Sequence, residues 1–169
     1  MSKPIEHCYW VVENKLLAGE YPRTKERDSS QEKIDALIRG GITLFIDLTE
    51  ETERMLPYTE FIKQHTGVSH RRFPIRDVST PRSQAVTSAI LDVMDAEISR
   101  GGGVYVHCWG GVGRTGLVVG CWLARNCSDG KSALLQLRQL WQRCPKSLTR
   151  QSPETIEQVR YIVNWKEAR

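Results

Sequence analysis

The stretch Val104-Tyr-Val-His-Cys-Trp-Gly-Gly-Val-Gly-Arg-Thr-Gly116 limits what this chain can become more than any other part of it. Val104 to His107 is a run of β-formers without polar alternation, which predicts a short strand buried on both faces. Gly110, Gly111 and Gly113 follow at once, and Thr115 to Asn126 then reads as an apolar helix. A buried strand that passes through a glycine turn straight into a helix is half of a βαβ unit, the element of parallel sheets covered by helices.

The flanking sequence continues the alternation. Tyr9 to Glu13, a turn at Asn14 and Lys15 to Gly19 predict two short strands in a hairpin. Gln31 to Arg39 predicts a helix capped by Ser29 or Ser30 and stopped at Gly40-Gly41, with Ile34, Leu37 and Ile38 on one face. Ile42 to Leu48 is a second buried strand, followed by a charged loop to Met55 and a short helix from Pro57 to His65. Val68 to Ile75 predicts a strand interrupted at Pro74, and Ser83 to Ser99 a helix. Lys131 to Arg143 and Pro153 to Lys166 complete the set, the last opened by Ser152 as cap. The pattern predicts an α/β, three-layer fold with residues 1–169 as one domain.

Composition narrows the function classes. The longest apolar stretch, Leu117 to Ala124, falls far short of the roughly 20 residues that span a membrane, and the N-terminal residues hold no apolar signal segment. A soluble, cytoplasmic protein with no membrane partner is expected. Net charge is +4, with no block of like charges to serve as a nucleic-acid tail, so no nucleic-acid partner is expected. The five cysteines include no Cys-x-x-Cys pair, which argues against zinc ribbons and a paired disulfide framework and favours a reducing compartment.

The chemistry sits in the glycine turn. Successive backbone N–H groups of such a turn point inward, and the helix N-terminus adds partial positive charge, so residues Trp109, Gly110, Gly111, Val112 and Gly113 are expected to cradle a phosphate. Cys108 lies at the floor, where those groups favour a thiolate. Arg114 can close the far side with a bidentate fork on two phosphate oxygens. A nucleophilic thiolate in a phosphate cradle implies a phosphocysteine intermediate, with no metal or cofactor required. The ATP-binding glycine loop is excluded, because Gly113-Arg114-Thr115 stands where that loop needs Gly-Lys-Ser/Thr.

His107-Cys108, five residues, then Arg114-Thr115 resembles the signature of the cysteine-dependent protein tyrosine phosphatases. The short chain resembles their dual-specificity branch, and the Cys-aromatic-Gly-Gly-x-Gly-Arg pattern is similar to the cyclin-dependent kinase-associated phosphatase type and to small bacterial members. The resemblance runs from Trp10 to Trp165 and implies a central mixed sheet of four or five strands flanked by helices. It also implies a general acid from a loop about thirty residues before the cysteine. Asp77, in Phe73-Pro-Ile-Arg-Asp-Val-Ser-Thr-Pro81, lies 31 residues before Cys108 and fits that place. Asp77 would act first as acid and then as base for the hydrolytic water. Asp92 and Asp95 fall inside a helix instead, and Asp47, at a strand end, is expected to bond nearby backbone. By the same resemblance His107 supports the loop, and the Thr115 hydroxyl bonds the sulfur as it leaves. Gln158 matches one glutamine of the family's water-positioning loop while Glu154 replaces the other, and an exposed helix face is the favoured reading for both.

The implied substrate is a phosphoprotein carrying phosphotyrosine, with phosphoserine and phosphothreonine also open. A phosphoinositide, inositol-phosphate or RNA 5′-phosphatase using the same loop is the alternative, as is a pseudophosphatase that only binds phosphopeptides. Lipid-phosphatase relatives carry lysines inside the loop, where this chain has Trp109, Gly110 and Val112. Arg71, Arg72, Arg76 and Arg82 are expected to form a solvated basic rim, with Arg71 and Arg72 on opposite strand faces. Glu50, Glu51 and Glu53 would oppose highly charged ligands if they stood near the mouth. Sequence leaves oligomeric state and any pairing of Cys108 with another cysteine open.

Overall fold

The computed structural model describes residues 3–126 and 129–167. Five strands form one mixed sheet: β1 (Cys8–Val12), β2 (Leu16–Gly19), β3 (Ile42–Asp47), β4 (Ser69–Arg72) and β5 (Gly103–His107), in the order β1-β2-β5-β3-β4. The β1–β2 hairpin is antiparallel, and every other pairing is parallel. β5 is central and every residue of it is buried, as its unbroken apolar run requires.

Strand alternation divides the side chains between two cores. Leu17, Tyr105 and Phe45 point to one face, covered by α1 (Arg27–Arg39) and the short α2 (Thr59–Ile62). Ala18, Val106 and Ile46 point to the other, covered by α3 (Gln84–Ser99), α4 (Gly113–Asn126), α5 (Gly130–Trp141) and α6 (Ile156–Asn164). This is the expected three-layer α/β arrangement. β4 is a sheet edge that carries Ser69, His70, Arg71 and Arg72, polar side chains that discourage pairing with another chain.

Register explains where the site must lie. Gly19, His107, Asp47 and Arg72 stand in one row across β2, β5, β3 and β4. That row is the C-terminal edge of the parallel strands, where loops leave the sheet and ligands of open α/β folds gather.

Four helix starts differ from expectation by two residues or more. α1 begins at Arg27 with Glu26 as cap residue, because Ser30 lies one turn inside and its hydroxyl donates back to the Glu26 carbonyl at 2.6 Å. α4 begins two residues early, at Gly113. α6 begins at Ile156 instead of Pro153: Thr155 and Gln158 form a reciprocal capping box, while the Ser152 hydroxyl donates to the Val112 carbonyl at 2.7 Å. The expected helix from Pro57 shrinks to the four residues of α2. Cys127, placed by sequence just past α4, lies outside the described residues. No helix among the described residues is long and apolar enough to cross a membrane.

Candidate active site

β5 delivers Cys108 to the sheet edge, and α4 starts five residues later. Between them the loop carbonyls are bonded away from the cleft. The His107 carbonyl accepts from the Leu48 N–H at 2.9 Å, that of Trp109 from the Tyr21 N–H at 2.9 Å, and that of Val112 from Ser152 Oγ at 2.7 Å. In a trans peptide the next N–H points opposite to the carbonyl, so these bonds turn the N–H groups of Cys108, Gly110 and Gly113 the other way. Gly111 has φ +73°, and a Cβ there would lie 2.4–2.5 Å from the Gly19 carbonyl group. Only glycine lets the loop sit against the end of β2.

Arg114 is 1% exposed, from the first turn of α4. Glu53 grips one end of its guanidinium, with Nη1–Oε1 at 2.5 Å and Nη2–Oε2 at 3.0 Å. Nη1 also donates to the Ile75 carbonyl at 3.0 Å. Asp77 approaches Nη2 with Oδ1 at 3.0 Å, its side chain half exposed. Nε and the neighbouring Thr115 Oγ1 are buried without a hydrogen-bond partner. A buried donor of this kind points to a ligand acceptor, and a phosphate oxygen pair fits the Nε–Nη2 edge. Glu53 belongs to a 3-10 turn, Glu51–Glu53, whose Glu50 and Glu53 form a capping box. Although burial alone opposes its charge, the Arg114 and Glu50 hydrogen bonds hold the Glu53 carboxyl below its usual range. Glu53 therefore pairs with the arginine instead of repelling ligands. Nothing in its local sequence marks it, because the partner lies 61 residues away.

His107 is fully buried. Burial pushes its pKa down to about 4 against the pull of the Asp47 charge, so the ring is neutral. Nε2 lies 2.5 Å from Tyr58 Oη and Nδ1 3.3 Å from the Cys108 carbonyl. A neutral ring satisfies both if Nδ1–H donates to the carbonyl and Nε2 accepts from the phenol. Asp47 accepts from Thr49 N and Oγ1 at 2.9 and 2.6 Å, as expected, and also from Arg72 at 3.0 Å. Burial works against its ionisation, but hydrogen bonds from His70 and Thr49 hold it well below the carboxylate range.

Cys108, Val112, Gly113 and Arg114 floor one cleft of about 400 Å³. Asp77 and the exposed Val78 form one wall, and Trp109, 63% exposed, stands at another. Besides Arg114, the cations lining it are Lys146 and Arg150, neither singled out by sequence, beside Glu20 and Glu154. Of the arginines expected at the rim, Arg72 is spent on Asp47, and Arg76 and Arg82 line a separate groove with Phe73 and Pro81. Arg71 lines another with Glu97. The expectation of an exposed helix face for Glu154 and Gln158 is also corrected. Glu154 lines the cleft in a short pair with Arg150, and Gln158 is fully buried, donating to the Ser79 carbonyl at 2.9 Å. Asp92 and Asp95 face Arg125 across α3 and α4, away from the cleft.

Comparison with known proteins finds relatives and a shared fold. The 067L protein of Invertebrate iridescent virus 3, named as a tyrosine phosphatase, is 32% identical over 132 residues, 75% of this chain and 50% of that protein. The dual specificity protein phosphatase CDC14AB of Danio rerio is 27% identical over 69% of this chain and 19% of its own length. The chain thus spans half or less of these relatives. Among solved structures, a mutant form of Tk-PTP superposes with a TM-score of 0.73 at 23% identity, covering 92% of this chain and 91% of the other. Kinase associated phosphatase follows at 0.71 and 23%, covering 87% and 83%. A family model described as "Polymorphic toxin system, DSP-PTPase phosphatase" matches residues 19–128, a span that holds Asp77, Cys108, Arg114 and Thr115. The chain belongs to that family of DSP-PTPase phosphatases.

Proposed function

We propose that this chain removes phosphate from phosphotyrosine, and by the same route from phosphoserine and phosphothreonine, in protein substrates. The observation that carries the reading is the convergence of Cys108, the loop amides, Arg114 and Asp77 on a single cleft. Cys108 Sγ attacks phosphorus while the bond to the side-chain oxygen breaks, and Asp77 gives that oxygen a proton. Arg114 and the amides of Trp109 to Gly113 hold the equatorial oxygens, with Glu53 fixing the arginine plane. Asp77 then takes a proton from water, which attacks the phosphocysteine. Thr115 Oγ1 donates to the departing thiolate, and inorganic phosphate leaves. His107 orients the loop through the Cys108 carbonyl. The exposed Trp109 and Val78 offer apolar walls to the substrate ring.

A further solved neighbour, PTPMT1, is described in complex with PI(5)P and superposes at a TM-score of 0.69 with 18% identity. Here Trp109, Gly110 and Val112 are uncharged, and Lys146 and Arg150 are already paired with Glu20 and Glu154. Those pairings favour phosphoproteins over polyphosphorylated lipids. Free thiols at Cys8, Cys108, Cys121 and Cys144 favour action in a reducing, cytoplasmic setting.

The test is phosphate release, in EDTA, from matched phosphotyrosine, phosphothreonine and phosphoinositide substrates, with Cys108→Ser as blank. Phosphopeptide turnover well above lipid turnover is expected. Release that survives Cys108→Ser, or tight peptide binding without release, would overturn the reading.

A further inference from the structure

The peptide between Gly110 and Gly111 has no side chain on either neighbour, so its plane turns against less steric resistance than any other in the loop. Its orientation matters because its carbonyl and N–H point opposite ways. With the Gly110 carbonyl outward, the Gly111 N–H is available to an anion in the cleft. Reversed, the carbonyl oxygen would face that anion and repel it.

The neighbouring carbonyls of Trp109 and Val112 are held by Tyr21 N–H and Ser152 Oγ. That of Gly110 is held by an ammonium: Lys146 Nζ donates to it at 2.9 Å. Lys146 comes from a 3-10 turn, Pro145–Leu148, and its Nζ also lies 2.8 Å from Glu20 Oε2. The other Glu20 oxygen takes Lys33 Nζ of α1 at 2.8 Å. Burial opposes the charge on Glu20, but both lysines hold its carboxyl below the usual range. Glu20 is fixed in turn, since its own carbonyl accepts from Tyr105 Oη at 2.6 Å.

We infer that Lys146 is a positioning residue, which sets the Gly110–Gly111 peptide with its N–H toward the substrate phosphate while Glu20 anchors it. This rests on the loop being a phosphate cradle. The ammonium is held between Glu20 and the Gly110 carbonyl, so it acts through the peptide it holds. A cation on the carbonyl also polarises that peptide and makes the Gly111 N–H a stronger donor.

The experiment titrates inorganic phosphate into wild type, Lys146→Met and Lys146→Arg by calorimetry. The Gly111 amide is followed by ¹⁵N–¹H NMR, with kcat, KM and thermal midpoint measured alongside. Lys146→Met is expected to weaken phosphate binding and raise KM about tenfold, the scale of one hydrogen bond to a charged group. It is also expected to abolish the phosphate-induced shift of the Gly111 amide while the thermal midpoint holds. Lys146→Arg, which keeps the charge, is expected to restore most of both. Phosphate binding and a Gly111 shift equal to wild type in Lys146→Met would overturn the inference. So would losses that track a lowered midpoint and are not rescued by arginine. A wild type that binds phosphate but hydrolyses nothing would sink the phosphatase reading and leave the positioning role standing. Normal hydrolysis in wild type and Lys146→Met alike would do the reverse.

Discussion

Arg114 presents two edges of one guanidinium to different partners. Glu53 holds the Nη1–Nη2 end, Asp77 Oδ1 stands 3.0 Å from Nη2 as a second ion pair, and Nε is left without a partner. Glu53→Gln removes a charge-assisted grip worth about 1.5–3 kcal/mol. Its kcat/KM is expected to fall about tenfold or more, with the loss shared by every substrate; a variant as active as wild type would show that the arginine needs no such support. Asp77→Asn should behave differently. Removing the acid is expected to lower kcat by about a hundredfold or more. Removing a carboxylate from the arginine edge should also leave inhibition by inorganic phosphate equal or tighter. Weaker phosphate inhibition in that variant would mean that Asp77 shapes the cradle and does not compete for it.

At the level of elements, the strand, loop and α4 were legible because their constraints are local: an unbroken β-run, glycines at a turn, an apolar helix. The start of α6 was not. Ser152 looks like a helix cap in sequence, yet its hydroxyl is committed to Val112, forty residues earlier. The backing of the loop by this segment can be tested. A Cβ at Gly116 would fall 2.0 Å from Ser152 Oγ and 3.3 Å from Pro153 Cα. Gly116→Ala is therefore expected to destabilise by about 1–3 kcal/mol, and part of that cost should vanish in a Ser152→Ala background. Urea denaturation of the four variants in a double-mutant cycle measures the coupling, and simple additivity would place the two residues apart. Lys146 and the pairing of Glu53 escaped sequence reading for the same reason as Ser152. Their partners are set by tertiary approach, and no short-range pattern encodes it. Asp77 was recoverable only because a family resemblance supplied its offset.

Across the whole molecule, the row Gly19, His107, Asp47 and Arg72 ties the sheet edge to the site and makes stability depend on pH. The folded chain keeps His107 neutral down to about pH 4, whereas an unfolded histidine takes up a proton near 6.5. Its contribution is complete above 6.5 and lost as pH falls toward 4, up to about 3 kcal/mol. Asp47, held low in the fold, adds a further loss in more acid solution as pH falls below the ordinary carboxylate range. Urea midpoints followed from neutral pH to pH 4 should decline, and His107→Asn should flatten the upper part of that decline. Equal slopes in both proteins would mean that the ring is not held neutral.

The braces on the phosphate loop have a temporal consequence. Cys108, Asp77 and Arg114 all lie before residue 115, but Lys146, Ser152 and Gln158, which hold Gly110, Val112 and the Asp77 loop, are made some thirty to forty residues later. α5 and α6, which cover α4, also come late. On a ribosome, the thiol is therefore synthesised well before the scaffold that arms it. On the proposed mechanism, reactivity is expected only once residues 146–158 are in place, and a nascent chain stalled earlier would carry Cys108, Asp77 and Arg114 without their braces.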